Sequence, residues 1–180
     1  LHILKAIVVV YVEIFRDTPM IVQGMVIYYG LRQNDIMITS IIAGILVTTL
    51  NTGAYMGETV RAGIKSVDAG QEEGALAMGM SHFKAMLYII VPQALKNVIP
   101  EMCNTFVNNL KMTSVLNVIG VSELFLMAKT AGGAYYKYFE SYIVIYFILC
   151  FVFNRVFSVI EKKLQGRSDY ELATEYLENE

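Results

Sequence analysis

Long apolar runs separated by short charged segments dominate this chain. The clearest run covers residues 36–57, which are 22 positions without a charge, and a bilayer core requires about 20 apolar residues of helix. Three further segments, at about 7–31, 95–122 and 139–160, are apolar enough to follow the same pattern. The pattern therefore predicts an all-α, integral membrane bundle with about four transmembrane helices in this stretch of sequence.

The first of these segments contains an expected break. Pro19 has no amide hydrogen for the helix ladder, so we expect it to kink the helix or to start its membrane-embedded part. Glu13 and Arg16 are three residues apart and can pair on one helix face, which lowers the cost of burying either charge.

Several polar side chains fall inside the predicted spans, where a helix surrounded by lipid could not carry them. Such residues are costly at membrane depth unless they face the protein interior or a water-filled path. We therefore select candidate substrate-binding residues from the second and third spans and the flank of the second. They are Asn51, Thr52, Tyr55, Glu58, Asn108, Lys111, Thr113 and Ser114. The alternative for each amide or hydroxyl is that it only bridges two helices.

Lys111 is the only basic residue between Lys96 and Lys129. It is a candidate partner for a substrate carboxylate or for an internal acid such as Glu58. The alternative is a lysine that extends to an interface or closes an ion pair without touching substrate. In the second span, Gly53 and Gly57 form a G-x-x-x-G pair that predicts a close helix contact, within one subunit or between two.

Composition supports a membrane protein and gives no sign of an enzyme. The chain is 56% hydrophobic and 17% charged, with a mean hydropathy of +0.50, which is too apolar for a typical soluble domain. Its net charge of -2 gives no reason to expect nucleic acid as a partner. The sequence contains no P-loop, nucleophile elbow or H-E-x-x-H motif, so we expect no catalytic residues, no metal site and no cofactor.

A polar and small-residue island interrupts the apolar pattern at residues 70–92, GQEEGALAMGMSHFKAMLYIIVP. Its face from Gly74 to Gly79 is almost free of bulk, Gly79 permits a bend, and Ser81 can cap a second short helix. The alternative is an ordinary amphipathic loop on the membrane surface.

The spacing of this island resembles the EAA loop of bacterial ABC importer permeases. Gly74 stands where alanine is usual and Val91 where leucine is usual. The resemblance implies that five residues couple the chain to an ATPase, namely Glu73, Gly74, Ala75, Met78 and Gly79.

Two further stretches resemble the polar amino-acid uptake permeases. They are YVEIFRDTPMIVQG in the first span, with Asp17 for the usual glycine, and Lys111 to Ser114, with Met112 for the usual aspartate. The resemblance implies an amino-acid importer whose other components are two ATP-binding cassette subunits, a second identical or related permease and an extracytoplasmic solute-binding protein. A secondary transporter of small polar solutes is the alternative. An intramembrane enzyme would need a paired acid, a nucleophile or a metal site inside the spans, and the sequence shows no recognisable one.

The distribution of basic residues predicts the topology. Basic residues are concentrated in the 60–96 segment and after residue 160, which places the EAA-like loop and the C-terminus in the cytoplasm of a bacterial inner membrane. We expect one transmembrane domain over 1–167, with a coupling loop at about 63–92 and an acidic tail over 168–180. Because the sequence opens on Leu1, we also expect one further span upstream and five in the full chain.

Overall fold

The structure, a computed structural model, describes residues 2–132 and 137–165, and the regular elements in these ranges are all helical. In chain order they are α1 (His2–Asp17), α2 (Met20–Gln33), α3 (Ser40–Lys65), α4 (Ala69–Ala77), α5 (His82–Ala85), α6 (Val91–Met112), α7 (Leu124–Gly132) and α8 (Lys137–Gln165). A π-helical turn, Met86–Ile90, joins α5 to α6, and a 3-10 helix, Thr113–Ile119, continues α6. The prediction of an all-α fold is confirmed.

The predicted first span is two helices rather than one. α1 ends at Asp17 and α2 begins at Met20, with Pro19 in an extended conformation (φ −63°, ψ 137°) between them. The prediction of a helix that continues from residue 7 to residue 31 is therefore wrong, and the predicted effect of Pro19 is confirmed. The proline cannot donate to the ladder of α1, so the chain leaves the helix there and starts again.

Two of the described helices are long and apolar enough to cross a membrane: Ser40–Lys65, and Tyr142–Lys163 within α8. A third candidate is the pair His82–Ile119 and Leu124–Thr130, which is bent by 54°. α1 and α2 have 16 and 14 residues and do not reach the length of a single span. By length and composition the described chain thus contains two spans, or three with the bent pair, where the sequence predicted four.

The glycine- and tyrosine-rich segment 129–140 is helical over residues 129–132 and 137–140. α7 continues to Gly132 and α8 already begins at Lys137. Gly133, Tyr135 and Tyr136 lie outside the described residues, as does the predicted acidic tail.

α3 is the central helix, because α1, α2, α6 and the 3-10 helix all pack against it. The buried core between α2, α3 and the 3-10 helix consists of Met20, Ala43, Val47, Leu116 and Ile119. Gly120 ends the 3-10 helix with φ +80°, a left-handed conformation that glycine adopts readily. α8 joins this core indirectly, through rings of its own that contact Phe106 of α6.

Glycines set how closely two neighbours approach α3. A Cβ at Gly53 would lie 2.9 Å from the hydroxyl oxygen of Tyr11 on α1, whereas a Cβ at Gly57 would have nothing within 4 Å. The close contact predicted for this pair therefore exists at Gly53, and the described residues leave Gly57 open. At Gly63 a Cβ would clash with Val98 Cγ2, so a glycine permits the contact between α3 and α6.

Candidate functional site

A cavity of about 790 Å³ opens beside the break between α1 and α2. The break forms one wall, and α3 and α6 form the others. Its lining residues are Arg16, Asp17, Thr18, Pro19, Met20, Asn51, Tyr55, Glu101, Thr105, Asn108, Asn109, Lys111 and Met112. The cavity therefore brings together the interrupted first span and the polar residues of the two spans that follow.

Side-chain amides hold the break in place. The buried Gln23 donates from Nε2 to the carbonyl oxygens of Phe15 (3.0 Å) and Thr18 (2.9 Å). Asn51 of α3 donates to the Phe15 carbonyl (3.0 Å) and to Gln23 Oε1 (3.1 Å). The last carbonyls of a helix lack hydrogen-bond partners within the helix. Here the side-chain amides of Gln23 on α2 and Asn51 on α3 are those partners.

The cavity contains charges of both signs. Arg16 and Lys111 contribute positive charge, and Asp17 and Glu101 contribute negative charge. The amides of Asn51, Asn108 and Asn109 and the hydroxyls of Thr18, Thr105 and Tyr55 add hydrogen-bonding groups between them. Such a lining can exchange its own polar contacts for those of a small solute that carries two opposite charges.

Four of the predicted substrate-binding residues line this cavity: Asn51, Tyr55, Asn108 and Lys111. Thr52 lies next to it, where its hydroxyl accepts a hydrogen bond of 2.8 Å from Asn109 Nδ2. This bond links α3 to α6, so Thr52 helps to hold the two walls together.

The structure does not bring the other three candidates to the cavity. Glu58 lies farther along α3, paired with Arg16 (3.9 Å) and with Arg61. The hydroxyls of Thr113 and Ser114 donate to the carbonyl oxygens of Leu110 (2.9 Å) and Lys111 (2.6 Å). These two hydroxyls bond to carbonyl oxygens where α6 changes into the 3-10 helix, and Ser114 lines a separate cavity with Lys111.

Glu101 and Thr105 are not among the predicted site residues, although their spacing along the sequence indicates them. Residues 101, 105, 108 and 112 follow the i, i+4, i+7, i+11 spacing of one helix face, and all of them line the cavity. The spacing of Glu13 and Arg16 predicts that they pair, whereas the structure pairs Arg16 with Glu58.

The predicted coupling loop consists of two short helices separated by a glycine turn. Asp68 caps α4, Gly79 has φ +85°, and Ser81 caps α5 by accepting from the Lys84 amide. Met78 is 78% exposed, and a Cβ at Gly74 or Gly79 would have nothing within 4 Å. The predicted bend and cap are therefore confirmed.

One residue of the predicted coupling face points inward. Ala75 is only 2% exposed, so it packs against the rest of the chain and is not part of the open face. Glu73 is exposed, and the open surface consists of Glu73, Gly74, Met78 and Gly79. The methyl group of Ala75 lies inside because α4 packs against the π-helical turn that follows α5.

One polar contact closes this loop on itself, and two others fasten it to α6. Glu72 Oε1 lies 3.1 Å from His82 Nδ1, across the glycine turn. Gln93 of α6 donates to Gln71 over 3.2 Å, and Asn97 donates to Ser66 Oγ over 2.9 Å. Both contacts with α6 lie in the first part of the loop, at Ser66 and Gln71.

Comparison with known proteins identifies the family. A family model described as "Binding-protein-dependent transport system inner membrane component" matches residues 2–166. The chain belongs to this family. It is thus the permease component of a binding-protein-dependent importer, and a multi-pass protein of the inner membrane.

Individual relatives are permeases named for amino acids. The chain is 35% identical over 160 residues to the arginine transport system permease protein ArtQ of Bacillus subtilis (strain 168), covering 87% of this chain and 73% of that protein. It is 37% identical over 158 residues to the putative glutamine transport system permease protein GlnP of Rickettsia bellii (strain RML369-C), covering 86% and 72%. A solved structure described as the crystal structure of an amino acid ABC transporter with histidines superposes with a TM-score of 0.82 at 40% identity, covering 88% of this chain and 76% of that one.

These relationships confirm the permease class inferred from the EAA-like loop, and they do not support a secondary transporter. A permease of this family is not itself an enzyme, because ATP hydrolysis takes place in separate subunits. ATP-binding subunits and a binding protein are accordingly its general partners.

Proposed function

We propose that this permease forms part of the translocation path of an amino-acid importer, and that the cavity at the helix break is its amino-acid site. The observation that carries the proposal is the presence of both charge signs and several amides in one cavity at the break. Relatives named as arginine, glutamine and L-cystine permeases support an amino acid as the solute.

The chemistry of the solute matches this lining. An amino acid carries a carboxylate and an ammonium, and both must replace water with protein partners to cross the membrane. Arg16 and Lys111 suit the carboxylate, and Glu101 suits the ammonium. The N-terminus of α2, at Pro19 and Met20, borders the same cavity, and its dipole also favours negative charge.

We further propose that the loop at 63–92 and the C-terminus are cytoplasmic, and that the ATPase docks on the open surface of Glu73, Gly74, Met78 and Gly79. The distribution of basic residues supports this orientation. An exposed glycine surface next to a turn allows another protein's backbone to approach closely. The assembly then contains two permease subunits and two ATPase subunits, with a solute-binding protein on the opposite side.

Uptake by the reconstituted transporter tests the amino-acid site. The complex with its ATPase and binding protein would be placed in proteoliposomes and supplied with each of the twenty common amino acids and cystine, in radiolabelled form. We expect ATP-dependent uptake of at least one, and loss of that uptake in Lys111→Met with assembly and basal ATP hydrolysis unchanged. Wild-type uptake kinetics in Lys111→Met would remove Lys111 from the path, and absence of uptake for every amino acid would contradict the proposed function.

A further inference from the structure

Arg16 lies between the amino-acid cavity and an acid on the neighbouring helix. It belongs to the last turn of α1 and lines the cavity. Its Nη1 atom is 3.9 Å from Glu58 Oε1 on α3, and Glu58 borders a different, smaller cavity. The guanidinium of Arg16 therefore faces the cavity on one side and the Glu58 carboxylate on the other.

The two contacts of Glu58 are unequal. Arg61, three residues farther along the same helix, donates to both carboxylate oxygens, from Nε over 2.8 Å and from Nη2. The contact with Arg16 is a looser ion pair at 3.9 Å. Arg61 thus holds Glu58 in position, and Arg16 can leave the pair without stranding the carboxylate.

Tyr55 keeps Arg16 near the cavity when that pair loosens. The guanidinium carbon of Arg16 lies 5.8 Å from the centroid of the Tyr55 ring, and the Tyr55 hydroxyl is 3.4 Å from the Arg16 carbonyl oxygen. An arginine has five N–H donors in a planar fork, so a position over this ring still allows it to bind a carboxylate in the cavity.

We infer that Glu58 and the carboxylate of the transported amino acid compete for Arg16. The inference rests on the proposed amino-acid site. Without substrate, Glu58 retains Arg16 and ties α1 to α3. With substrate, the guanidinium turns to the substrate carboxylate, Glu58 stays on Arg61, and this ion pair between the two helices is released, while the hydrogen bonds of Asn51 and Tyr55 to α1 remain.

The released tie lies close to the coupling loop along the chain. α3 continues from Glu58 to Lys65, and α4 begins at Ala69. Asn97 of α6 is already bonded to Ser66 in the short connection between them. Occupancy of the cavity would therefore change the attachment of the helix that leads directly to the loop, which gives the permease a local way to report bound substrate.

Two substitutions that act on Glu58 in opposite directions test the competition. Glu58→Gln removes the competing charge, so the substrate should bind more tightly. Arg61→Gln leaves the charge but removes its stronger partner, so Glu58 should hold Arg16 more firmly and the substrate should bind more weakly. We expect shifts of about two- to fivefold in Kd, the size of a partly exposed ion pair.

The measurement is equilibrium binding of the tritiated amino acid with the highest uptake, on the complete permease and ATPase complex in nanodiscs without the binding protein. Shifts of opposite sign support the competition. Shifts of the same sign, or none, overturn it. A purely structural role of the Glu58 cluster, which consists of Arg16, Glu58 and Arg61, would weaken binding in both variants.

Asn108→Leu separates this outcome from a failure of the proposed site. Asn108 lines the cavity but has no part in the Glu58 cluster. If it weakens binding while the two cluster variants fail to diverge, the cavity is the amino-acid site and the competition is wrong. If none of the three variants changes binding, the amino-acid site itself is misplaced and the competition falls with it.

Discussion

Asn51 Nδ2 lies 3.1 Å from Gln23 Oε1 and thereby joins α3 to the interrupted first span. Gln23 uses its own nitrogen for the carbonyls of Phe15 and Thr18 at the end of α1. An unpartnered backbone carbonyl in a bilayer core costs several kcal/mol. The shape of the cavity wall therefore depends on two amides that are distant in sequence.

Replacing Gln23 should destabilise the permease. Gln23→Leu leaves the carbonyls of Phe15 and Thr18 without this donor, and we expect a loss of about 1–3 kcal/mol in the free energy of unfolding. Thermal unfolding of the complex in detergent measures the effect. Gln33→Leu, at the exposed end of α2, is the matched control. Equal melting temperatures for the two variants would contradict the role given to Gln23.

The effects of substituting Gly63 and Val98 on stability should depend on each other, because the two residues are in contact. Gly63→Ala places a methyl group against Val98 Cγ2. The overpacking cost of about 1–3 kcal/mol should exceed the gain in helix propensity of about 1 kcal/mol. In a Val98→Ala background the methyl group has room, so the same change should become neutral or stabilising. Additive effects in this double-mutant cycle, measured by thermal unfolding, would argue against a direct contact.

A bulky side chain at Gly74 should interfere with ATPase coupling and leave the fold of the permease unchanged. A Cβ at Gly74 meets nothing within 4 Å, and the same is true of Gly30 on α2. Gly74→Trp should therefore lose most substrate-stimulated ATP hydrolysis, whereas Gly30→Trp should retain it. Both variants should assemble in the membrane at wild-type yield. Normal stimulation in Gly74→Trp would show that the ATPase docks elsewhere.

Gly79 should respond to conformation as well as to size. Its φ of +85° is uncommon for any residue with a side chain, but asparagine tolerates it far better than a β-branched residue does. We expect Gly79→Val to abolish stimulated ATP hydrolysis and Gly79→Asn to keep a substantial part of it. If the two variants lose equal activity, the position requires a small side chain and not the left-handed backbone conformation of the turn.

Glu123 should stabilise the bend between the 3-10 helix and α7. Its carboxylate accepts from the amides of Phe125 (2.6 Å) and Leu126 (2.7 Å) and from the Tyr146 hydroxyl of α8 (2.9 Å). Glu123→Ala removes every one of these bonds and should cost more than the roughly 0.5–2 kcal/mol of an ordinary cap. Tyr146→Phe removes one bond and should cost less, and Tyr142→Phe is the control. The order of melting temperatures tests the arrangement.

The features that the sequence predicts well are those decided by local chemistry. The break at Pro19, the turn at Gly79 and the cap at Ser81 each follow from what one residue type allows in a backbone. The spacing of residues 101, 105, 108 and 112 also indicates the polar face of α6, although Glu101 and Thr105 are not among the predicted site residues.

The features that the sequence does not predict depend on contacts between distant segments. Nothing local indicates that Gln23 supports the end of α1, or that Arg16 meets Glu58 across 42 positions and not Glu13 within its own helix. Thr113 and Ser114 carry hydroxyls suited to a polar path, but the carbonyls at the end of α6 are nearer and take them. Whether a polar side chain bonds to the backbone or lines the cavity therefore depends on which groups lie near it in three dimensions.

The π-helical turn at Met86–Ile90 absorbs one residue without greatly changing the direction that the following helix faces. Such a turn has i→i+5 hydrogen bonds, so it takes one residue more than an α-helical turn to complete about the same rotation. An α-helix cannot absorb a residue in this way, because each of its residues corresponds to about 100° of rotation. Deleting a single residue from the π-helical turn would therefore leave Glu101, Asn108 and Lys111 facing the cavity, whereas deleting one between Val91 and Glu101 would rotate all three away, although none of the three would have changed.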